Sequence, residues 1–212
     1  MSEARDQILA RIGGGGEAFA AGRPAAHDYR RSGTLGVDER VELFCRRVGE
    51  YRAEVRRAAE AELPALITMV CTARNATRLV VPHTIPAAWR GAGVELVDDH
   101  GLSARELDAI DGALTGCTAA IAETGTIVLA AGPAEGRRAV SLVPDLHICV
   151  VREAQIVELL PEALAALAHD GLEHRPLTFI SGPSATSDIE LSRVEGVHGP
   201  RDLVVLVVKE PS

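Results

Sequence analysis

The sequence predicts an α/β fold, a mainly parallel sheet flanked by helices, with a helical lead-in before it. Three observations carry this. Short runs of Val, Leu and Ile recur along the last two thirds of the chain. Several are apolar throughout, as strands buried on both faces are. Stretches with apolar residues at three- and four-residue steps separate them, and alternation of strands with helices defines the α/β class. The expected organisation is an N-terminal helical lead-in and linker over 1–62 and an α/β domain over 63–212.

The elements follow in order. Residues 2–12 form a short helix with Ile8, Leu9 and Ile12 on one side, stopped by Gly13-Gly14-Gly15-Gly16. That run reads as a hinge, because no strand precedes it and no Gly-Lys-Ser follows it. Residues 17–37 are a polar loop. One long helix is expected over 38–62. Val41, Phe44, Val48, Tyr51, Val55 and Ala58 make its apolar stripe, Asp38 its N-cap, and Glu42 with Arg46 an i,i+4 pair. Its Arg46/Arg47 and Arg56/Arg57 pairs read as a solvated face, with an anion site as the alternative. Pro64 opens a helix to about Asn75. Residues 78–82 and 94–97 are strands, with a helical turn at 86–90 between them. Ser103 and Glu106 form a capping box that starts the next helix. Residues 111–122 are small and apolar, a strand plus a turn. Strands follow at 126–130 and 146–151, a helix at 161–168, and strands at 177–180 and 203–208.

Composition bounds the function. The 212 residues suit one domain with a small appendage, and 47% apolar content supplies a sizeable core. Aromatics are only 3%, so aliphatic side chains do the packing. A net charge of −8 argues against a general nucleic-acid binder and against docking on an anionic membrane. Cys45, Cys71, Cys117 and Cys149 contain no CxxC pair, which gives no zinc or iron–sulfur signature and no disulfide framework. They read as small buried hydrophobes. The charged start, Met1 to Asp6, has no apolar signal region, and no run has the length to span a bilayer. A cytoplasmic protein with no metal and no cofactor is expected. Homo-oligomerisation is left open.

Two polar, glycine-punctuated segments adjoin expected strands. In the first, Gly125 permits a tight turn, and Thr124 and Thr126 add hydroxyls beside free amides that hold a carboxylate or phosphate. Glu123 is the only carboxylate in an apolar stretch. Burial would raise its pKa and make it an acid, base or nucleophile; the alternative is a turn glutamate capping nearby amides. The second segment runs over 181–190. Gly182, Ser184, Thr186, Asp188 and Glu190 are its candidate ligand contacts, with Ser187 a further hydroxyl; the alternative is a helix cap. His198, in a glycine-flanked turn, is the proton-transfer candidate beside Glu123. His147 reads as a core or sheet-face residue. The other histidines lack metal-ligand spacing, and no HExxH, GxSxG, Walker or GxGxxG pattern occurs.

These segments together resemble the lactate-utilisation (LUD) family. The matching stretches are Glu123-Thr124-Gly125-Thr126 with the strand after it, Pro144-Asp145-Leu146-His147, Gly182-Pro183-Ser184 through Asp188-Ile189-Glu190, and His198-Gly199-Pro200. Their order and spacing agree over roughly 76–208. The resemblance implies a fold like that of the ribose-phosphate isomerase, glucosamine-phosphate deaminase and CoA-transferase superfamily. It implies a non-cluster subunit or accessory protein in oxidation of L-lactate to pyruvate, beside two iron–sulfur partner subunits. It carries over no mechanism. Glu123-Thr124-Gly125 also looks like the Glu-x-Gly element of CoA-transferases, where Asn is usual at the middle position and Thr stands here.

Three readings follow. The favoured one is a lactate-utilisation protein that binds a small carboxylate or phosphorylated ligand between the Thr124–Thr126 turn and the 184–190 segment. The second is a stand-alone CoA-transferase-like or sugar-phosphate isomerase-like enzyme using Glu123. The third is an interaction module assembled through the 38–62 helix.

Overall fold

The computed structural model describes residues 29–90, 93–183 and 199–209, with Gln7 and the backbone at 185–186 and 194–195. The chain divides into compact units at 1–30 and 31–212. The helix expected at 2–12, the glycine run and most of the following loop lie outside the described residues.

In the larger unit, helix Val37–Glu50 (α1) leads into strand Glu54–Ala59 (β1), helix Leu63–Ala73 (α2) and strands Arg78–Val81 (β2) and Glu95–Asp98 (β3). Helix Ala104–Asp108 (α3), strands Gly112–Thr115 (β4), Ala119–Ile121 (β5) and Thr126–Leu129 (β6), and helix Arg138–Leu142 (α4) follow. Then come Leu146–Arg152 (β7), Ile156–Val157 (β8), helix Leu160–His169 (α5), Thr178–Ile180 (β9), the short pair Ala185–Thr186 (β10) and Val194–Glu195 (β11), and Asp202–Lys209 (β12). The main sheet has six strands in the order β1-β12-β7-β4-β2-β3, and all five pairings are parallel. A second sheet runs β8-β5-β6-β9, with β5–β6 and β6–β9 antiparallel.

Strand β12 shows why its sequence is apolar at every inner position. Leu203, Val205 and Val207 face α1 and the second sheet, while Val204, Leu206 and Val208 face Leu63, Ile67 and Val70 of α2. The second sheet splits its residues the same way. Ile127 and Leu129 look toward the main sheet, and Ile121 and Val128 look toward Ala163 and Leu167 of α5. Helix, sheet, sheet and helix thus stack, and alternate residues of each inner strand fill different layers.

The long helix expected over 38–62 is corrected. The helix stops at Glu50, Arg52 takes a left-handed turn at φ 67°, and β1 begins two residues later. Val55 and Ala58 continue the three- and four-residue spacing by coincidence. The available edge of β12 decides the outcome: β1 pairs with it from Glu54 to Ala59, and tertiary pairing overrides local propensity. The N-cap also shifts, to Gly36, whose amide donates to the Glu39 carboxylate at 2.9 Å, with Asp38 in the first turn. Residues 111–122 yield two strands in different sheets, not one. The capping box at Ser103 forms as expected, with the Ser103 hydroxyl accepting from the Glu106 amide.

The last turn of α1 is where the fold sets up the candidate site. Gly125, at φ +63°, turns β5 into β6 so close to this helix that a Cβ would lie 2.7 Å from the Val48 amide nitrogen. Gly182, at φ +151°, follows β9, and a Cβ there would lie 2.7 Å from the Tyr51 Cβ. Helix backbone meets Gly125, and the Cβ and carbonyl of the C-cap Tyr51 meet Gly182, so neither contact opens without moving the end of α1.

Two predictions arise from this packing. Gly125→Ala adds left-handed strain to a backbone collision and should destabilise the fold by about 2 kcal/mol or more; a urea midpoint within error of the parent contradicts that. His147 supplies the other. It is fully buried, its Nε2 is 2.8 Å from the Thr115 hydroxyl, and its Nδ1 has no partner. Burial pulls its pKa from 6.5 down to about 4. Between those values the unfolded chain binds a proton that the folded chain refuses. The histidine therefore costs nothing above pH 6.5, and the fold loses about 3 kcal/mol as pH falls toward 4. Denaturation at pH 7 and at pH 4.5 measures the drop, and a His147→Gln chain should lack that part of it.

Candidate functional site

The first of the segments singled out by sequence meets Ser181, where the second begins, through hydroxyls. Thr124 Oγ1 lies 2.7 Å from Thr126 Oγ1, which lies 2.8 Å from Ser181 Oγ. Thr126 opens β6, and Ser181 directly follows β9. These three hydroxyls form one wall of a cavity of about 350 Å³. Ile121, Leu160, Leu164 and Phe179 form the rest. The cavity lies beyond the carboxyl ends of β5 and β9, in the second sheet.

The elements around it are held by carboxylates that sequence reasoning left unassigned. Glu158, buried just before α5, accepts hydrogen bonds from the amides of Thr34 and Leu35 at 2.5 and 2.7 Å. Glu162 accepts from the amides of Gly33 at 2.9 Å and Leu159 at 2.8 Å. Charge-assisted bonds of this kind fix both the approach to α1 and the first turn of α5. That turn carries Leu160, with Leu164 one turn on. Both remain over 40% exposed, as does Phe179, although all three are large and apolar. The signal was present in the sequence: Leu160, Ala163, Leu164 and Leu167 make a stripe wider than the pair Ala163 and Leu167 that α5 buries.

The chemistry of this wall is that of binding. Three hydroxyls carry three protons, and the two bonds among them use two. One proton is left for an acceptor oxygen. No arginine, lysine or histidine lines the described cavity, and no thiol or carboxylate does either.

The remaining predicted site residues fall as follows. Gly125 is buried under α1, and Gly182 is half-buried against Tyr51. Glu123 is exposed, and its amide donates to the Glu158 carbonyl at 3.0 Å. Burial, the condition for its reading as an acid, base or nucleophile, is not met: the turn that tucks Gly125 inward leaves Glu123 exposed. Thr186 lies in β10, its backbone paired with Val194. Ser184, Asp188, Glu190 and His198 lie outside the described residues. Of the cysteines, Cys71, Cys117 and Cys149 are buried and Cys45 is half-buried, as small hydrophobes should be.

A second cleft, of about 490 Å³, opens at the amino ends of the main strands. Most of its charged groups are engaged within the fold. Arg74 bonds Asp202 and Glu54, Arg201 pairs with Asp145 at 3.4 Å, and Asp111 accepts from the amides of Thr77 and Arg78. These contacts tie β1, β12 and β7 together at their starts. Among the described residues no group of three or more His, Cys, Asp or Glu is arranged to hold a metal ion, and no helix is long and apolar enough to cross a membrane.

Comparison with known proteins places the chain. The LUD domain family matches residues 41–208. A relative from Deinococcus radiodurans, "Lactate utilization protein C", is 47% identical over 98% of this chain and 96% of its own length. Another of that name, from a Geobacillus species, is 34% identical over 58% of this chain and 54% of its own length. A crystal structure of a DUF162 family protein from Deinococcus radiodurans superposes with a TM-score of 0.71 at 43% identity, over 82% of this chain and 99% of that one. With one family matched from α1 to β12 and a relative alike from end to end, the chain belongs to the LUD domain family.

Proposed function

We propose that this chain serves in lactate utilisation, as a non-cluster subunit or accessory protein beside iron–sulfur partners that oxidise L-lactate to pyruvate. The observation that carries this is the likeness to the Deinococcus radiodurans lactate utilization protein C over nearly the whole of both chains. The dispersed cysteines support a subunit without a cluster of its own, since cluster ligation calls for grouped thiolates.

The second half of the proposal concerns the ligand. The hydroxyl wall of Thr124, Thr126 and Ser181 binds a small carboxylate through one of its oxygens. Of the two anion classes considered from sequence, the carboxylate suits this wall better than a phosphate. A phosphoryl dianion is usually met by a guanidinium or ammonium, and the described lining has neither. A carboxylate carries half that charge, and the cavity's exposed rim leaves it partly hydrated. Gly182, Ser184, Thr186, Asp188 and Glu190 are proposed as further contacts on sequence grounds, since they follow Ser181 within nine residues.

Deleting the gene should abolish growth on L-lactate as sole carbon source, and the parent chain should restore it and co-purify with iron–sulfur proteins. Unimpaired growth, or isolation of the chain without any such protein, would overturn the proposed role. A Thr126→Val chain, which keeps the shape and removes the central hydroxyl, should fold normally and restore growth less well.

A further inference from the structure

We infer that this cavity selects carboxylates with a branched aliphatic or aromatic body over those the size of lactate. The inference rests on the reading of the hydroxyl wall as a carboxylate site and adds what the opposite wall demands.

The two walls differ in kind. One is polar and narrow, a chain of three hydroxyls with a single proton to donate. The other is wide and carries no polar side-chain atom: Ile121 from β5, Leu160 and Leu164 from α5, and Phe179 from β9. A lactate or pyruvate held at the hydroxyls has one methyl group to offer this wall. That leaves most of a cavity of about 350 Å³ to water in contact with leucine and phenylalanine. Cavities of this size ordinarily enclose ligands well beyond three carbons.

The exposure of the wall is the second observation. Leu160, Leu164 and Phe179 are 42, 43 and 47% exposed, yet they come from two separate elements and converge on the same cavity. Scattered surface leucines need no account, but apolar residues gathered beside a hydrogen-bonding group form an amphipathic receptor. Their chemistry specifies a ligand with an acceptor oxygen at one end and an apolar group a few bonds away. Acids such as 4-methyl-2-oxopentanoate and phenylpyruvate have that form. Each buried methylene adds roughly fourfold to affinity, so three further carbons placed on this wall should tighten binding on the order of tenfold or more.

The test is calorimetric titration of the full chain with L-lactate, pyruvate, 4-methyl-2-oxopentanoate and phenylpyruvate. Parent, Thr126→Val and Leu164→Ser chains are compared, with circular dichroism confirming that each is folded. The larger acids should bind tenfold or more tightly than pyruvate. Leu164→Ser, at an exposed position, should erase most of that advantage by weakening the larger acids several-fold more than pyruvate. Thr126→Val should weaken all the acids alike. A flat series that still depends on Thr126 overturns the size selection and leaves the carboxylate site standing. Absence of binding by every acid, or binding indifferent to Thr126→Val, overturns the carboxylate site and the inference with it.

Discussion

The last turn of α1 is the surface on which the candidate site is assembled. Two glycines press against it and its C-cap, Gly125 on Val48 and Gly182 on Tyr51, each near enough that a side chain would collide. Their positions relative to each other follow from that shared contact. The hydrogen bond between Thr126 and Ser181, 55 residues apart in sequence, follows in turn. Helix α1 is itself fixed by Val41, Phe44 and Val48, all buried with the inner face of β12. The site therefore inherits its geometry from the core through one helix.

This arrangement explains the economy of charge around the cavity. Carboxylates serve as fasteners, Glu158 and Glu162 for the start of α5 and Glu135 for the loop after β6, where it accepts from the amides of Ala130 and Gly132. Elsewhere in the fold, Arg74 is engaged at the amino ends of β1 and β12 and Arg137 on Asp99. What remains at the cavity is neutral: hydroxyls, leucines and a phenylalanine. Such a wall recognises shape and one acceptor, and it has little hold on a strongly charged ligand.

Much of the scaffold could be read from the sequence. Strands buried on both faces, such as 203–208, leave a run with no polar interruption, and a capping box such as Ser103 with Glu106 is a local device that needs no tertiary knowledge. The Thr124–Thr126 turn was singled out from its glycine and hydroxyls beside a strand, whereas its contact with Ser181 depends on tertiary packing that no local pattern shows. Other features were illegible for physical reasons. Strand β1 sits at a sheet edge, half exposed, with Arg56 and Arg57 in its middle, and its apolar spacing matches a helix as well as a strand. The orientation of Glu123 depends on which way one turn rolls against α1, which its apolar neighbours in sequence do not reveal. The apolar wall was overlooked because periodicity shows that α5 has an apolar face but not how much of that face the second sheet covers.

The central claim is that a carboxylate binds where the hydroxyl chain meets the apolar wall. The most direct measurement is a crystal structure of the chain soaked with 4-methyl-2-oxopentanoate. The account predicts a carboxylate oxygen within about 3 Å of the Thr124 or Ser181 hydroxyl and the branched end against Leu160 and Phe179. Density for the acid in the Arg74–Arg201 cleft instead, with the hydroxyl chain untouched, would contradict it.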